Sequence, residues 1–227
     1  MLFGLNGVRS ARENGDLIVI IDVLRAASTI TTALNNGAEK VIVVRDIDQA
    51  IRLSQKYDNS ILAGERRGLK IKGFQLNNSP LEFKREVVEG KTIIFTSSNC
   101  APIVEEAKGS SKIVLACFLN ISTVASYIKN LAKKLGKDIS IIYAGRYGNP
   151  SSDDLYCAEI LKSLIIGKLK KPPSTNIIKN FLKYTPAGIY LSSIGRSRDV
   201  DYCGNVDLIN IVPIWIENGF ISHLKTH

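Results

Sequence analysis

The chain has 227 residues, 45% of them hydrophobic, and its 30 lysines and arginines against 21 aspartates and glutamates give a formal net charge of +9. This size and apolar content allow a substantial hydrophobic core and exclude a disordered chain. No apolar run approaches the roughly 18 residues of a membrane-spanning helix, and the N-terminal residues lack the apolar core of a signal peptide. We therefore expect a cytoplasmic protein with no membrane partner.

The basic excess is spread over scattered lysines, without the exposed aromatic residues of a nucleic-acid-binding module. We therefore expect no nucleic-acid partner and interpret the charge as a solvated basic surface. The cysteines are far apart in the chain, with no spacing typical of a zinc site or a disulfide framework. They are Cys100, Cys117, Cys157 and Cys203.

The first clear structural unit runs from residue 17 to residue 37. Residues 17–21 (LIVII) predict a buried parallel strand, and AASTITTALN at 26–35 has the apolar spacing of a helix that ends at Asn36-Gly37. Asp22 and Arg25 stand in the turn between strand and helix, where ligands of open α/β sheets usually bind. The alternative is structural: Asp22 caps the helix and Arg25 pairs with a surface acid.

The same pattern of apolar strands and amphipathic helices continues along the chain. Strands are predicted over 40–44, 60–64, 91–96, 112–116 and 139–145, and helices over 46–56, 101–108, 121–135, 154–166 and 175–183. Residues 206–216 form a closing apolar segment, in which Pro213 predicts an edge strand or a loop.

Two stretches, 17–68 and 91–148, have the same β-α-β-α-β pattern and end in the similar strings ILAGERRG and IIYAGRYG. This similarity predicts an internal duplication, although general likeness among α/β units is the alternative. We expect a three-layer α/β/α fold of two similar intertwined halves with mainly parallel sheets, divided as 1–90 and 91–227. The turns at the strand ends would then converge on one cleft, with Asp22, Arg25 and Glu65 facing Asn99, Arg146 and the pair Asp153-Asp154.

Several reaction types are excluded by what the chain lacks. The histidines, His223 and His227, lie at the extreme C-terminus, which argues against catalysis by a Ser-His or Cys-His pair. No nucleotide-binding glycine loop is present, and Asp199-Val200-Asp201 does not follow an apolar strand. The remaining carboxylates and arginines at strand ends suit Mg²⁺ and an anionic phosphate ester.

Four ordered motifs and a C-terminal block resemble the 2-phosphosulfolactate phosphatase family over nearly the whole chain. The motifs are IDVLRAASTI at 21–30, GERRGLKIKGFQLNNSP at 64–80, TSSNCA at 96–101 and AGRYGNPSSDDLYCA at 144–158. The C-terminal block is SSIGRSRDVDYCGNVDLINIVPIW at 192–215. The resemblance implies a Mg²⁺-dependent acid phosphatase that converts 2-phosphosulfolactate to sulfolactate and phosphate in coenzyme M synthesis, on a fold of two intertwined halves.

The resemblance places most of the candidate site residues at motif positions, and their individual roles are our inference. We expect Asp22, Glu65 and Asp154 to bind the metal, and Arg25 and Arg66 to hold the anionic groups of the substrate. We expect the second repeat to donate hydrogen bonds to the substrate. The catalytic candidates are Asp22, Arg25, Glu65 and Asp154, and the substrate-binding candidates are Arg66, Asn78, Ser79, Ser97, Asn99 and Arg146.

Three positions depart from the family pattern: Asn77 and Cys100 stand in place of glycines, and Asp153 stands where glutamate is expected. The lost glycines narrow the backbone conformations open to the loops and bear on substrate identity more than on reaction type. The alternative function is a non-catalytic protein that binds an anionic ligand or RNA on the same scaffold. The expected partner is a small anionic phosphorylated substrate, and homodimer formation is left open.

Overall fold

The computed structural model describes residues 1–224. The strands are β1 (Leu2–Phe3), β2 (Leu17–Ile21), β3 (Lys40–Val43), β4 (Ser60–Arg66), β5 (Leu69–Lys70), β6 (Thr92–Thr96), β7 (Lys112–Ala116), β8 (Ile139–Tyr143), β9 (Ile211–Ile216) and β10 (Gly219–Leu224). The helices are α1 (Gly4–Glu13), α2 (Ala26–Asn35), α3 (Ile47–Ser54), α4 (Arg85–Val88), α5 (Cys100–Ala107), α6 (Ile121–Leu135), α7 (Ser152–Ile165), α8 (Thr175–Lys183), α9 (Pro186–Ser193) and α10 (Ser197–Cys203). Every strand and helix predicted between residues 17 and 183 is present, whereas β1, α1, β5, α4, α9, α10 and β10 were not predicted.

The strands form one mixed sheet in the order β1-β8-β2-β7-β9-β10-β3-β6-β4-β5. Two groups within it are parallel: β1, β8, β2 and β7 form one, and β3, β6 and β4 form the other. The antiparallel hairpin of β9 and β10 lies between the groups. It pairs with each group through a single residue pair, Val114 with Ile214 and Val41 with Phe220.

The strand order confirms that the two halves are intertwined. Strand β2 of the first half lies between β7 and β8 of the second, and β6 of the second half lies between β3 and β4 of the first. Because strands from both halves share each parallel group, neither half has a sheet of its own. The division into 1–90 and 91–227 stays a prediction about the sequence repeat.

The repeat is also visible in the backbone of two turns. Arg67 and Gly68 follow β4 with φ angles of 52° and 75°, and Tyr147 and Gly148 follow β8 with 49° and 77°. Two successive positive φ angles characterise the type I′ turn of a tight hairpin. The matching strings ILAGERRG and IIYAGRYG therefore form the same turn in each half.

Helices cover both faces of the sheet. All five residues of β2 are buried, and because side chains alternate along a strand they supply two cores. Ile18 and Ile20 pack in the core that contains α1, α2 and α5, whereas Val19 packs in the core that contains α6 and α7. This arrangement is the predicted three-layer α/β/α fold. Among residues 1–224, no helix has the length and apolar character needed to cross a lipid bilayer.

The prediction for Pro213 is wrong, because the residue lies inside β9, which is an interior strand. Pro213 stands opposite Ser222 of β10. Proline cannot donate a hydrogen bond to a neighbouring strand, which usually keeps it at sheet edges. Here β9 meets β7 at Ile214 alone, so no continuous ladder needs the missing N–H group.

Candidate active site

A pocket lies where the C-terminal ends of β2, β4, β6 and β8 meet, so both parallel groups of the sheet contribute to it. Eight of the ten predicted site residues line this pocket: Asp22, Arg25, Glu65, Asn78, Ser97, Asn99, Arg146 and Asp154. The expectation that the strand-end turns of both halves converge is therefore realised in the fold.

Asp154 ties the turn after β2 to the turn after β8. Its Oδ1 accepts a hydrogen bond from the Val23 N–H (2.7 Å), and its Oδ2 accepts one from the Gly145 N–H (2.9 Å). A side chain at Gly145 is sterically impossible without rearrangement, because φ is +70° and a Cβ atom would lie 2.3 Å from the Asn149 carbonyl oxygen. Both oxygens of Asp154 are thus engaged in holding the two repeats together.

Glu65 likewise ties the turn after β4 to the turn after β6. Its Oε1 accepts a hydrogen bond from the Ser98 N–H (2.7 Å), and its Oε2 accepts one from the Gly68 N–H (2.6 Å) and one from the Ser98 hydroxyl (3.3 Å). Charged acceptors form stronger hydrogen bonds than neutral ones. Glu65 therefore fixes the two turns that border the pocket on this side.

Asp153, the neighbour of Asp154, has a carboxylate oxygen without a hydrogen-bond partner. The residue is 2% exposed and lines the pocket, and among residues 1–224 no group donates to its Oδ1. Asn78 Oδ1 and Ser151 Oγ line the same pocket and are also buried without a partner. The Ser151 hydroxyl lies near enough to Asp153 to favour its ionised form, but the two do not form a hydrogen bond. Buried polar atoms are normally paired, so these three oxygens are suited to contact a ligand, an ion or ordered water in the pocket.

The acids of the pocket are difficult to ionise. Burial raises the pKa of Asp22 to about 7, and repulsion from Asp153 and Glu65 adds to this shift. Burial likewise raises the pKa of Asp153 to about 6 and that of Asp154 well above its usual range. A cation at this position would offset both the burial and the mutual repulsion.

The two arginines that line the pocket differ in their contacts within the protein. Arg25 is buried and donates from Nη1 to Asp199 (2.5 Å) and from Nη2 to the Gly68 carbonyl oxygen (2.9 Å). Arg146 stacks on Tyr190 and Tyr147, with its guanidinium carbon 4.1 and 5.2 Å from the ring centroids. Within the described chain, the Arg146 guanidinium forms no ion pair and no hydrogen bond, so its planar donor group is free for an oxyanion.

Arg66 and Ser79, the other two predicted site residues, do not line the pocket. Arg66 donates to the carbonyl oxygens of Glu65 and Arg45 (both 2.8 Å) and to the Thr96 hydroxyl (3.0 Å), so it braces the ends of neighbouring strands. The Ser79 hydroxyl donates to Asp199 (2.7 Å). A direct contact of either residue with substrate stays a prediction.

The predicted metal ligands do not form a preassembled cluster. Residues 1–224 contain no group of three or more His, Cys, Asp or Glu side chains placed to hold a metal ion. Both oxygens of Asp154 and of Glu65 accept hydrogen bonds from the chain, which leaves Asp22 and Asp153 with free carboxylate oxygens. Mg²⁺ is commonly bound by one or two carboxylates, waters and a substrate phosphate, so this donor set fits Mg²⁺ although the ion itself stays a prediction.

Asn77 and Cys100, which stand where the family pattern has glycine, have ordinary backbone conformations. Cys100 is the first residue of α5, and the Oδ1 of Asn77 accepts a hydrogen bond from the Asn78 N–H (2.7 Å). Neither residue is among those with a positive φ angle in residues 1–224. The loops therefore reach the pocket without the conformations that only glycine adopts readily.

Sequence reasoning placed Asp153 in the cleft without assigning it a role, and it passed over Tyr147 and Tyr190. The adjacent acids Asp153 and Asp154 were a usable signal for Asp153. Neighbouring residues in the first turn of a helix point in different directions, so only one of the two can accept hydrogen bonds from a given pair of backbone amides. Tyr190 had no signal, since it lies in a C-terminal helix distant in sequence from the repeats.

The fold and the pocket define an α/β protein with an acid-lined, arginine-containing site for a small anionic ligand. The sequence profile of 2-phosphosulfolactate phosphatase matches residues 6–218. A probable 2-phosphosulfolactate phosphatase of Caldanaerobacter subterraneus is 41% identical over 220 residues, covering 90% of this chain and 89% of the relative.

Probable 2-phosphosulfolactate phosphatases of two further organisms are similar over comparable lengths. The protein of Thermotoga maritima is 36% identical over 217 residues, covering 89% of this chain and 90% of its own. That of Clostridium acetobutylicum is 33% identical over 227 residues, covering 94% and 95%. The chain therefore belongs to the 2-phosphosulfolactate phosphatase family, and the resemblance found in its motifs is confirmed. It is a hydrolase of the phosphoric monoester class.

Proposed function

We propose that this protein is a Mg²⁺-dependent phosphatase that hydrolyses 2-phosphosulfolactate to sulfolactate and phosphate. The relatives carry this substrate in their names. One observation carries the proposal: in a single pocket, the unpaired oxygens of Asp153, Asn78 and Ser151 accompany an arginine, Arg146, that has no ion-pair partner among the described residues. Oxygen donors suit a hard cation, and the arginine suits an anionic group of the substrate.

Asp22 and Asp153 are the residues that would hold the cation. Each lines the pocket and has a carboxylate oxygen not used by the surrounding backbone. When bound, Mg²⁺ supplies positive charge that stabilises the phosphoryl oxygens as the ester bond breaks. Glu65 and Asp154 would act by holding the turns in place rather than by direct ligation.

Arg146 and Arg25 are the cationic side chains of the pocket, and we assign the anionic groups of the substrate to them. The guanidinium group of Arg146 lies over the ring of Tyr190 and forms no hydrogen bond within the described chain, so its N–H groups are available to a bidentate oxyanion. Arg25 uses two of its N–H groups within the protein, and the others remain available to the substrate. Two fixed arginines would orient an ester that carries several negative charges.

Water is the proposed nucleophile. The described lining of the pocket contains neither a histidine nor a cysteine. Ser79, the serine of the Asn-Ser-Pro motif, lies outside this lining and donates its hydroxyl to Asp199. The carboxylate beside Ser79 is already ion-paired with Arg25, so we do not assign it as the base that would activate this serine. Labelled substrate should therefore leave no phosphoserine at Ser79, and a phosphoserine trapped there would exclude direct attack by water.

The test is phosphate release from 2-phosphosulfolactate, with Mg²⁺ and with a chelator, and from 2-phospholactate as the analogue without the sulfonate. We expect release only with the metal and a preference for the sulfonated ester. The matched variants are Asp153→Asn, which should lose activity, and Asp201→Asn, a change of the same kind on the surface, which should not. Undiminished release in chelator would exclude the metal. Tight binding of sulfolactate without hydrolysis of either ester would favour the non-catalytic alternative.

Two further expectations are part of this proposal and stay predictions: a place in coenzyme M biosynthesis and a cytoplasmic location. Homodimer formation stays open.

A further inference from the structure

The C-terminal helices α9 and α10 belong to neither repeat, yet α9 lines the pocket and α10 contacts a residue that lines it. Ala187, Tyr190 and Leu191 of α9 line it. The Tyr190 hydroxyl also donates to the Arg67 carbonyl oxygen (2.7 Å) in the turn after β4. None of the residues predicted for the site lies in these helices. Residues 192–203 belong to the C-terminal block that resembles the family, but the sequence assigned none of them a role in the site.

Asp199 of α10 is the charged residue of this segment that contacts the site. Its Oδ2 accepts a hydrogen bond from Nη1 of Arg25 (2.5 Å), and its Oδ1 accepts one from the Ser79 hydroxyl (2.7 Å). The side chains of Arg25 and Asp199 are only 2% and 3% exposed. Asp199 does not line the pocket, and both of its oxygens are engaged, so it cannot itself bind the substrate.

Arg25 lies among acids that would attract it if Asp199 were absent. Arg25 and Asp22 line the same pocket and are residues of opposite charge type, so an Arg25 released from Asp199 would be attracted to Asp22. An arginine paired with Asp22 would occupy an oxygen that the proposed cation needs. The contacts to Asp199 and to the Gly68 carbonyl oxygen hold the guanidinium group of Arg25 and so oppose an ion pair with Asp22.

We propose that Asp199 is a positioning residue that fixes Arg25 for binding of the substrate's anionic group. The proposal rests on the proposed function, because it assumes that Arg25 contacts an anion. A buried arginine with a carboxylate partner is orientated before the ligand arrives, so binding does not have to restrict its flexible side chain. Through Ser79, the same carboxylate also holds the loop that brings Asn78 to the pocket.

The test compares Asp199→Asn with Asp201→Asn. Both variants remove one carboxylate from α10, but Asp201 is half exposed and pairs with Lys179 (3.1 Å) at the surface. The affinity for inorganic phosphate is measured by calorimetry, together with kcat, KM and the melting temperature. We expect Asp199→Asn to weaken phosphate binding and to lower kcat/KM by about tenfold or more, equivalent to about 1.4 kcal/mol. Asp201→Asn should match the wild type.

A purely structural role for Asp199 predicts a different result. Asp199→Asn would then lower the melting temperature but leave phosphate affinity and kcat/KM of the folded protein unchanged, and this outcome would overturn the proposal. Phosphate binding is measured without turnover, so it tests the positioning role of Asp199 separately from the proposed phosphatase function. If the wild-type protein hydrolysed neither ester, the phosphatase function would be contradicted. If the Asp199→Asn variant nevertheless bound phosphate more weakly than the wild type, the positioning role would still be supported.

A second pair of variants keeps the test decisive if Asp199→Asn does not fold. Removing one partner of a buried ion pair leaves an uncompensated charge, whereas removing both does not. Arg25→Gln and the double variant Arg25→Gln/Asp199→Asn should therefore bind phosphate equally weakly, since Asp199 acts through Arg25. A further loss of tenfold or more in a folded double variant would contradict the proposal.

Discussion

Replacing Asp153 with asparagine removes a negative charge from the buried acids of the pocket and changes the shape of the side chain very little. In the folded protein the pKa of Asp153 is raised from 3.8 to about 6, chiefly by burial. Between these values the folded state holds a proton that the unfolded chain has released. The free energy of unfolding of the wild type therefore falls as the pH rises through this range.

The size of this loss in the free energy of unfolding follows from the shift in the pKa of Asp153. At about 1.4 kcal/mol per pKa unit, a difference of roughly two units corresponds to about 3 kcal/mol. Above about pH 7 the ionised carboxylate destabilises the metal-free protein by this amount, and below about pH 4 the penalty is absent. Metal-free Asp153→Asn should thus gain up to about 3 kcal/mol over the wild type at pH 8, and nothing at pH 4.

Urea denaturation between pH 4 and pH 8 measures the difference, with the fluorescence of the single tryptophan, Trp215, as the signal. Each protein is measured in chelator and in excess Mg²⁺. We expect Mg²⁺ to stabilise the wild type at pH 8 and to have little effect on Asp153→Asn, because the variant lacks a ligand oxygen. Asp201→Asn, whose side chain is half exposed, should follow the wild type throughout.

Two results would refute this reasoning. If the wild type and Asp153→Asn differed by the same amount at pH 4 and at pH 8, the carboxylate would not be a buried charge in the folded protein. If Mg²⁺ stabilised both proteins equally, Asp153 would not belong to the metal site.

The remaining predictions concern the arginine of the second repeat and the acid that joins the turns. Arg146→Lys should raise KM about tenfold with little change in melting temperature, because lysine lacks the planar fork; unchanged steady-state kinetics would contradict this role. Tyr190→Leu should also raise KM through the lost stacking, and more than Tyr190→Phe, which keeps the ring; equal effects would exclude the stacking. Glu65→Gln should lower the free energy of unfolding in urea by about 2 kcal/mol, since a neutral amide replaces a charged acceptor of buried N–H groups; unchanged stability would exclude that role.

The sequence by itself determined most of the strands and helices between residues 17 and 183 and eight of the residues that line the pocket. Apolar periodicity located the strands and helices, because a strand buried on both faces and an amphipathic helix have distinct spacings. The similarity of ILAGERRG to IIYAGRYG predicted two related halves, and both strings form the same turn. Candidate site residues at strand ends could be located because parallel strands bring their carboxyl ends to one side of a sheet, and Asp22 and Asn99 indeed line one pocket.

Only the tertiary structure decided which atoms of these residues are free to act. Asp154 and Asp153 are adjacent acids, but backbone N–H groups occupy both oxygens of Asp154, and one donor, that of Val23, lies 131 residues away in the chain. Arg66 and Arg146 occupy matching turns, yet the first braces strand ends and the second stacks on Tyr190 in the pocket. The placement of Pro213 in an interior strand likewise depended on how few pairs join β9 to β7. Hydrogen bonds and ion pairs between distant segments follow from the packing of the whole chain, and no local pattern of residues encodes them.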